Sequence, residues 1–337
     1  MSEPDIAKKG KKTGKWTMKE PYTKTRFFSK QARGAIDLFR PFTLAAPFIV
    51  SRSIMVASLV YNHFNHGLII NADWWITVGQ AGLTVAIVNA ASNALNQATD
   101  VEADKISKAY RPIPRGVIKK ESAQSLAYIL YLFALLRAVT INAWFGFFIF
   151  LIMVFTVMYS LPPRMKKYLF INQIWIAIPR GMLGILAAWS VFIPAGMHPF
   201  QPTPLIIGGI AFTFLLGGMS TKDITDCEAD RKTGTHTLIN TFGIKQTALI
   251  SFPFMLFPFI FVPMFTYAGL LEPHLWVLCI FSLMSLFIFY LMIRSKESKT
   301  LENVHAWSIM YAEYIFFALV FSVLTIFSEF MGFLKIF

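Results

Sequence analysis

About nine stretches of roughly 20 mostly apolar residues run the length of the chain, near 40–62, 74–97, 121–141, 143–161, 168–194, 203–221, 247–270, 273–293 and 306–332. Each is long enough to cross the hydrocarbon core of a bilayer as a helix. Backbone groups in lipid must pair within their own segment or within a closed barrel, so runs of this length read as helices. The expectation is an all-α, polytopic membrane protein. Composition agrees: of 337 residues, 55% are hydrophobic, 15% are charged and 34 are Phe, too apolar a balance for a soluble domain of this size.

The connections test the topology. The first, third, fifth and seventh, "NHFNHGLIINAD", "NA", "PAGMHPFQP" and "LLEP", contain no Lys or Arg. The others are basic: Lys105, Lys108, Arg111, Arg115, Lys119 and Lys120 in the second; Arg164, Lys166 and Lys167 in the fourth; Lys222, Arg231, Lys232 and Lys245 in the sixth; Arg294, Lys296 and Lys299 in the eighth. This alternation places the N-terminus and the basic loops in the cytoplasm and the C-terminus outside. It also explains the net charge of +13 without nucleic acid. Residues 1–35 form a basic cytoplasmic tail suited to anionic headgroups, with no apolar core of a signal peptide; residues 36–337 form one transmembrane domain. Cys227 and Cys279 are too few and too distant for a disulfide framework or a metal cluster.

The second and sixth connections, about 98–120 and 222–246, are long for a helical bundle, and long loops carry function. Each starts on an acidic helix end. In "NALNQATDVEADK", Asn96, Asp100 and Asp104 are spaced i, i+4, i+8; in "KDITDCEADRKTG", Asp223, Asp226 and Asp230 are spaced i, i+3, i+7. Both spacings put the three side chains on one helical face. Two carboxylates about 6 Å apart repel by roughly 3 kcal/mol at an effective dielectric of 20, so such a stripe calls for a cation or for protons. Oxygen ligands without His or Cys suit Mg2+ or Ca2+ rather than zinc; the EF-hand pattern is absent, and Mg2+ commonly joins one or two carboxylates to substrate phosphates. Lys105, Arg111 and Arg115 follow the first stripe, and Lys222, Arg231 and Lys232 flank the second. Arg grips phosphate as a fork and Lys as a point charge, so carboxylates and cations together have the makings of a metal–diphosphate site.

"NALNQATDVEADKISKAYRPIPRG" and "KDITDCEADRKTGTHTL" resemble the two signature loops of the UbiA superfamily of intramembrane prenyltransferases, and "LFRPFTL" and "YSLPPRMKK" are similar to further family segments. The likeness spans most of the chain. It implies nine helices around a central cavity, capped on the cytoplasmic side by the loops between helices 2 and 3 and helices 6 and 7. It implies that Asn96, Asp100 and Asp104 on one side, and Asp223, Asp226 and Asp230 on the other, bind a Mg2+–diphosphate group, that Asp100, Asp104, Asp223 and Asp230 serve catalysis, and that Arg111, Lys222 and Arg231 contact phosphate. Arg40 and Tyr159 fall at family-like positions near the cavity mouth. Two positions depart from the pattern: Gln97 stands where the family has Asp, and Ala229 where it commonly has Gly.

The implied reaction is transfer of a prenyl group, such as geranylgeranyl, from its diphosphate to a lipophilic acceptor. "AYRPIPRG" and "YSLPP" lean toward the branch that alkylates ring-containing acceptors, quinone precursors or a chlorophyllide-like ring; the rival is geranylgeranyl transfer to a glycerol-phosphate lipid in archaeal ether-lipid synthesis. A transporter is the alternative of another class, but it calls for charges at the midplane, whereas these acids lie at one face. Arg52, Arg137 and Arg180 fall inside spans; Arg180, beside Pro179 and Gly181, suggests an interrupted helix that meets either an acidic acceptor or a buried acid such as Glu313. His236 is the one His near the acidic loops.

Overall fold

A computed structural model describes residues 29–296 and 305–334. Most of the basic tail, and Lys299 of the eighth connection, lie outside the described residues. The first helix, α1 (Lys30–Phe39), begins within the stretch read as tail, with Ser29 capping it through a hydrogen bond accepted from the Ala32 amide.

Nine helices among the described residues are long and apolar enough to cross a membrane: α2 (Pro41–His66), α3 (Trp74–Thr99), α5 (Lys120–Ile141), α6 (Ala143–Ser160), α7 (Ile171–Ser190), α8 (Pro202–Thr225), α10 (Leu238–Tyr267), α11 (Pro273–Arg294) and α12 (His305–Gly332). Two short helices, α4 (Val101–Ser107) and α9 (Cys227–Thr233), follow α3 and α8. The chain is an all-helical, multi-pass integral membrane protein. Its outer surface agrees: Ile129, Leu132, Phe133 and Leu136 of α5 face outward, which suits lipid and would be a liability in water.

Small residues set the packing. Ala123, Ala127, Ala134 and Ala138 form a fully buried stripe on α5, which packs against α3, where Ala81, Ala91, Ala94 and Ala98 are equally buried. Without side-chain bulk the backbones approach closely, the main source of helix association in a lipid setting. Gly181 shows the limit: a Cβ there would lie 2.5 Å from the Phe212 backbone, so α7 and α8 touch main chain to main chain.

Two expectations need correction. The seventh span begins at Leu238 rather than near 247. Asn240, Thr241, Lys245 and Gln246 depress the hydropathy of its first turns, yet Thr237 and Asn240 form a reciprocal capping box that starts the helix there, and Gly243, at φ 77°, kinks it. The acidic stretches are also not straight helix ends. α3 stops at Asp100 (φ −106°, ψ 19°), and Asp226 is the joint between a 3-10 turn, Met219–Thr225, and α9.

Candidate active site

The two joints bring the acidic stretches together. α4 and α9 pack against each other and roof a cavity of about 300 Å³. Asn96, Asp100 and Asp104 line it from one side and Asp223, Asp226 and Asp230 from the other; Arg40, Arg111, Tyr159 and Lys222 also line it. The stripes survive the bends because the backbone ladder does. The Asp100 amide donates to Asn96 O at 3.0 Å and the Asp104 amide to Asp100 O at 2.8 Å. In the 3-10 turn, residues three apart eclipse, so Asp223 and Asp226 share a face.

Each described carboxylate of the motifs meets a cation, save one. Arg111 Nη1 donates to both carboxylate oxygens of Asp104 at 2.9 Å, both side chains buried. Lys222 Nζ lies 2.6 Å from Asp223 Oδ1, and Asp223 Oδ2 is buried with no hydrogen-bond partner. Lys108 Nζ, from the first motif's loop, is 2.6 Å from the Asp226 carboxylate of the second. Lys166 Nζ donates to Asn96 Oδ1 at 2.9 Å and to Asp100 at 2.5 Å, and Arg164 Nη2 reaches Asp100 Oδ1 at 2.7 Å. No ion pair of this set reaches Asp230.

Burial and charge perturb these groups in opposite directions. Burial raises the Asp104 carboxyl above its usual range, more than Arg111 lowers it. Burial likewise lowers the Lys166 ammonium despite Asp100. At Asp226 burial is outweighed by Lys108 and Arg111, which hold it low. At Asp230 burial and the facing Asp223 and Asp226 push the carboxyl up to about 8.

Among the described residues no three His, Cys, Asp or Glu side chains form a closed metal cage. The donor set nevertheless fits a hard divalent cation: the donors are carboxylate and amide oxygens, one buried oxygen on Asp223 is unsatisfied, and burial and its acidic neighbours raise the Asp230 carboxyl. The lining carries eight Lys or Arg against six Asp or Glu, so the cavity also fits an anion larger than its own acids can balance. A metal ion taking the carboxylates would free the lysines and arginines for phosphate oxygens.

Placement of the remaining residues sharpens the picture. Arg231 is exposed on α9 and does not line the cavity. Lys108, Arg164 and Lys166 do line it, although topology alone accounts for basic residues in these loops; only the family-like segment "YSLPPRMKK" points to the last two. His236 is exposed, its amide donating to Lys167 O at 2.9 Å. Arg137 bonds Thr84 and Gln80 O. Arg52 lies 4.9 Å over the Phe48 ring. Glu313 is bonded by Ser285, not by Arg180.

Gln97 has its own job. Asn89, Asn93 and Gln97 project at four-residue steps and donate to Thr43 O, Phe39 O and Leu38 O at 2.9, 2.9 and 2.7 Å. Together they hold the α1–α2 corner, where Arg40 sits at φ 54°. A carboxylate at position 97 could not donate to the Leu38 carbonyl.

Residues 67–327 match the UbiA prenyltransferase family. The chain is 23% identical over 271 residues to the digeranylgeranylglyceryl phosphate synthase of Methanosphaera stadtmanae, covering 80% of this chain and 91% of that protein. It is 27% identical over 300 residues to the chloroplastic homogentisate solanesyltransferase of Arabidopsis thaliana, covering 82% and 74%. Its fold is similar to that of a UbiA homolog from Archaeoglobus fulgidus solved with GPP and Mg2+, with a TM-score of 0.63 at 18% identity over 88% of this chain and 99% of that one. The chain therefore belongs to the UbiA prenyltransferase family, and it is a membrane-embedded prenyltransferase.

Proposed function

We propose that the protein transfers a geranylgeranyl group from its diphosphate to a prenylated glycerol phosphate, with Mg2+ as the metal. The observation that carries the site assignment is the convergence of both acidic stretches on one cavity, joined across the roof by Lys108 and Asp226. Relatives named digeranylgeranylglyceryl phosphate synthase support the glycerol-phosphate acceptor, in place of the ring acceptor to which the loop sequences lean. The homogentisate relative supports a second reading, a ring-containing acceptor.

In this reading Asn96, Asp100, Asp104, Asp223, Asp226 and Asp230 hold the metal. Bound there, Mg2+ would supply Lewis-acid stabilisation of the diphosphate leaving group. Lys166, Arg164, Arg111, Lys108 and Lys222, released from their carboxylates, orient the diphosphate and balance the charge that develops on it. Arg231, which does not line the cavity, is left out of this set. Tyr159, whose hydroxyl donates to Asn172 Oδ1 at 3.2 Å, and Arg40 bound the mouth. The C–O bond breaks with its electron pair going to diphosphate, leaving an allyl cation. The apolar bundle keeps water from that cation. An acceptor electron pair then forms the new bond to carbon, and the acceptor loses a proton.

The orientation rests on the Lys and Arg distribution: N-terminus and acidic loops in the cytoplasm, a basic tail of residues 1–35, and one catalytic domain over 36–337. Mass spectrometry of lipid products, with purified protein, geranylgeranyl diphosphate, Mg2+ and a panel of acceptors, tests the proposal. A prenylated glycerol phosphate gaining one geranylgeranyl group supports it; product only from homogentisate favours the second reading.

A further inference from the structure

Arg180 stands apart from the five cavity cations that pair with the acidic stretches. It lies at the midpoint of α7, a helix long and apolar enough to cross a membrane, and yet its side chain is exposed into the cavity. The backbone is shaped to deliver it. Residues Ile178–Met182 form a π-helical turn, a local widening of the helix that is frequent at functional sites. Gly181 lets that turn press on the Phe212 backbone, and Tyr314 Oη donates to Arg180 O at 2.7 Å. Among the described residues the guanidinium makes one hydrogen bond, Nη1 to Met219 Sδ at 3.8 Å, and no ion pair. The charged and phenolic groups that act on it most strongly are Tyr159, Tyr311, Arg40 and Tyr314; Tyr159 and Arg40 line the same cavity.

A cation at membrane depth without a counter-charge is costly, and such residues mark substrate paths. Lys166, Arg164, Arg111, Lys108 and Lys222 are each already matched to an Asp, so exchange of those pairs on donor binding does not involve Arg180. The reaction proposed above adds a second consideration. An allyl cation forming in a cavity that holds a bare guanidinium is opposed by like-charge repulsion. An anion seated on Arg180 removes that opposition.

Resting on that prenyltransferase reading, we infer that Arg180 is the receptor for an oxyanion of the acceptor, phosphate or carboxylate, and selects acidic acceptors over neutral ones. It is a specificity-determining residue, placed below the diphosphate site by the π turn.

The test compares wild type with Arg180→Gln and Arg180→Lys, each checked for a monodisperse size-exclusion profile. Four acceptors are used: a prenylated glycerol phosphate, its dephosphorylated alcohol, homogentisate and its methyl ester. Arg180→Gln is expected to raise KM for the acidic acceptor by about tenfold or more, the loss of one charged hydrogen-bonding group. The preference over the matching neutral acceptor should collapse, Arg180→Lys should recover part of it, and KM for geranylgeranyl diphosphate should stay within about twofold. The phosphate and carboxylate arms tell which oxyanion is used. An unchanged acceptor KM, or an equal rise in KM for the diphosphate, overturns the assignment. If wild type turns over none of the four, the transferase reading fails instead. Thermal-shift binding of the same probes then decides Arg180: acidic probes stabilising wild type but not Arg180→Gln support it, and equal shifts overturn it.

Discussion

The Lys166 ammonium sits between Asn96 and Asp100, 2.9 Å from the amide oxygen of one and 2.5 Å from the carboxylate of the other. These are two of the three groups of the first acidic stripe. The side chain thus occupies, as a monovalent cation, the place proposed for a divalent one. Arg164 braces Asp100 from the same loop.

Lys166→Met should therefore have two opposed effects. Ligand-free protein should bind Mn2+ about tenfold more tightly, because no ammonium must be displaced, the order expected for one charge-assisted contact. The value of kcat/KM for the prenyl diphosphate should fall about 100-fold, since a phosphate partner is lost. Electron paramagnetic resonance titration with Mn2+ reads the first effect and steady-state kinetics the second. Weaker Mn2+ binding would contradict the exchange of partners.

Asp100→Asn and Asp223→Asn should each lower turnover by about a thousandfold or more, the scale of losing a key charged group at a phosphoryl-type leaving group. Both variants should insert in membranes and elute as wild type does, because Asn keeps the shape and a hydrogen-bond-accepting oxygen of Asp. Near-normal rates in both would remove these residues from the site.

Asp230 gives a pH prediction. Its carboxyl, at about 8, holds a proton at neutral pH that a divalent cation must displace. Mg2+ binding should tighten as pH rises from about 6.5 to 8 and level off above, with at most a tenfold gain per unit for one proton. Without metal the sign for stability is the reverse. The folded pKa is above the unfolded value of about 4, so this group's contribution is fully present below that value and is lost as pH rises through 8. Isothermal titration and thermal melts across pH, repeated with Asp230→Asn, check both; the variant should flatten each profile.

Gly181→Leu should destabilise the protein by about 1–3 kcal/mol, the range for forcing extra atoms into a packed contact, and lower its melting temperature in detergent. The Phe212 backbone cannot yield as a side-chain tip could.

Much of this architecture was legible in the residues because lipid imposes it. Twenty-residue apolar runs and the placement of Lys and Arg give the nine spans within a few residues, except where polar residues such as Lys245 and Gln246 masked the start of α10. The same-face spacing of Asn96, Asp100 and Asp104 marks one side of the candidate cavity, and that of Asp223, Asp226 and Asp230 the other. What spacing along a chain does not carry is which loop folds over which cavity. Lys166 and Arg164 reach Asp100 from more than 60 positions away, and a loop lysine at a membrane face already has a sufficient explanation in topology. Arg231 shows the converse: it adjoins Asp230 in sequence, but the next position on a helix points elsewhere.

Lys108 and Asp226 are separated by 118 positions, one in each half of the molecule, and each neutralises the other. Two stretches that look like copies of a single motif are thus complementary rather than redundant. Neither half can be altered in charge without unbalancing its counterpart, so the pair would have to drift in concert over evolutionary time.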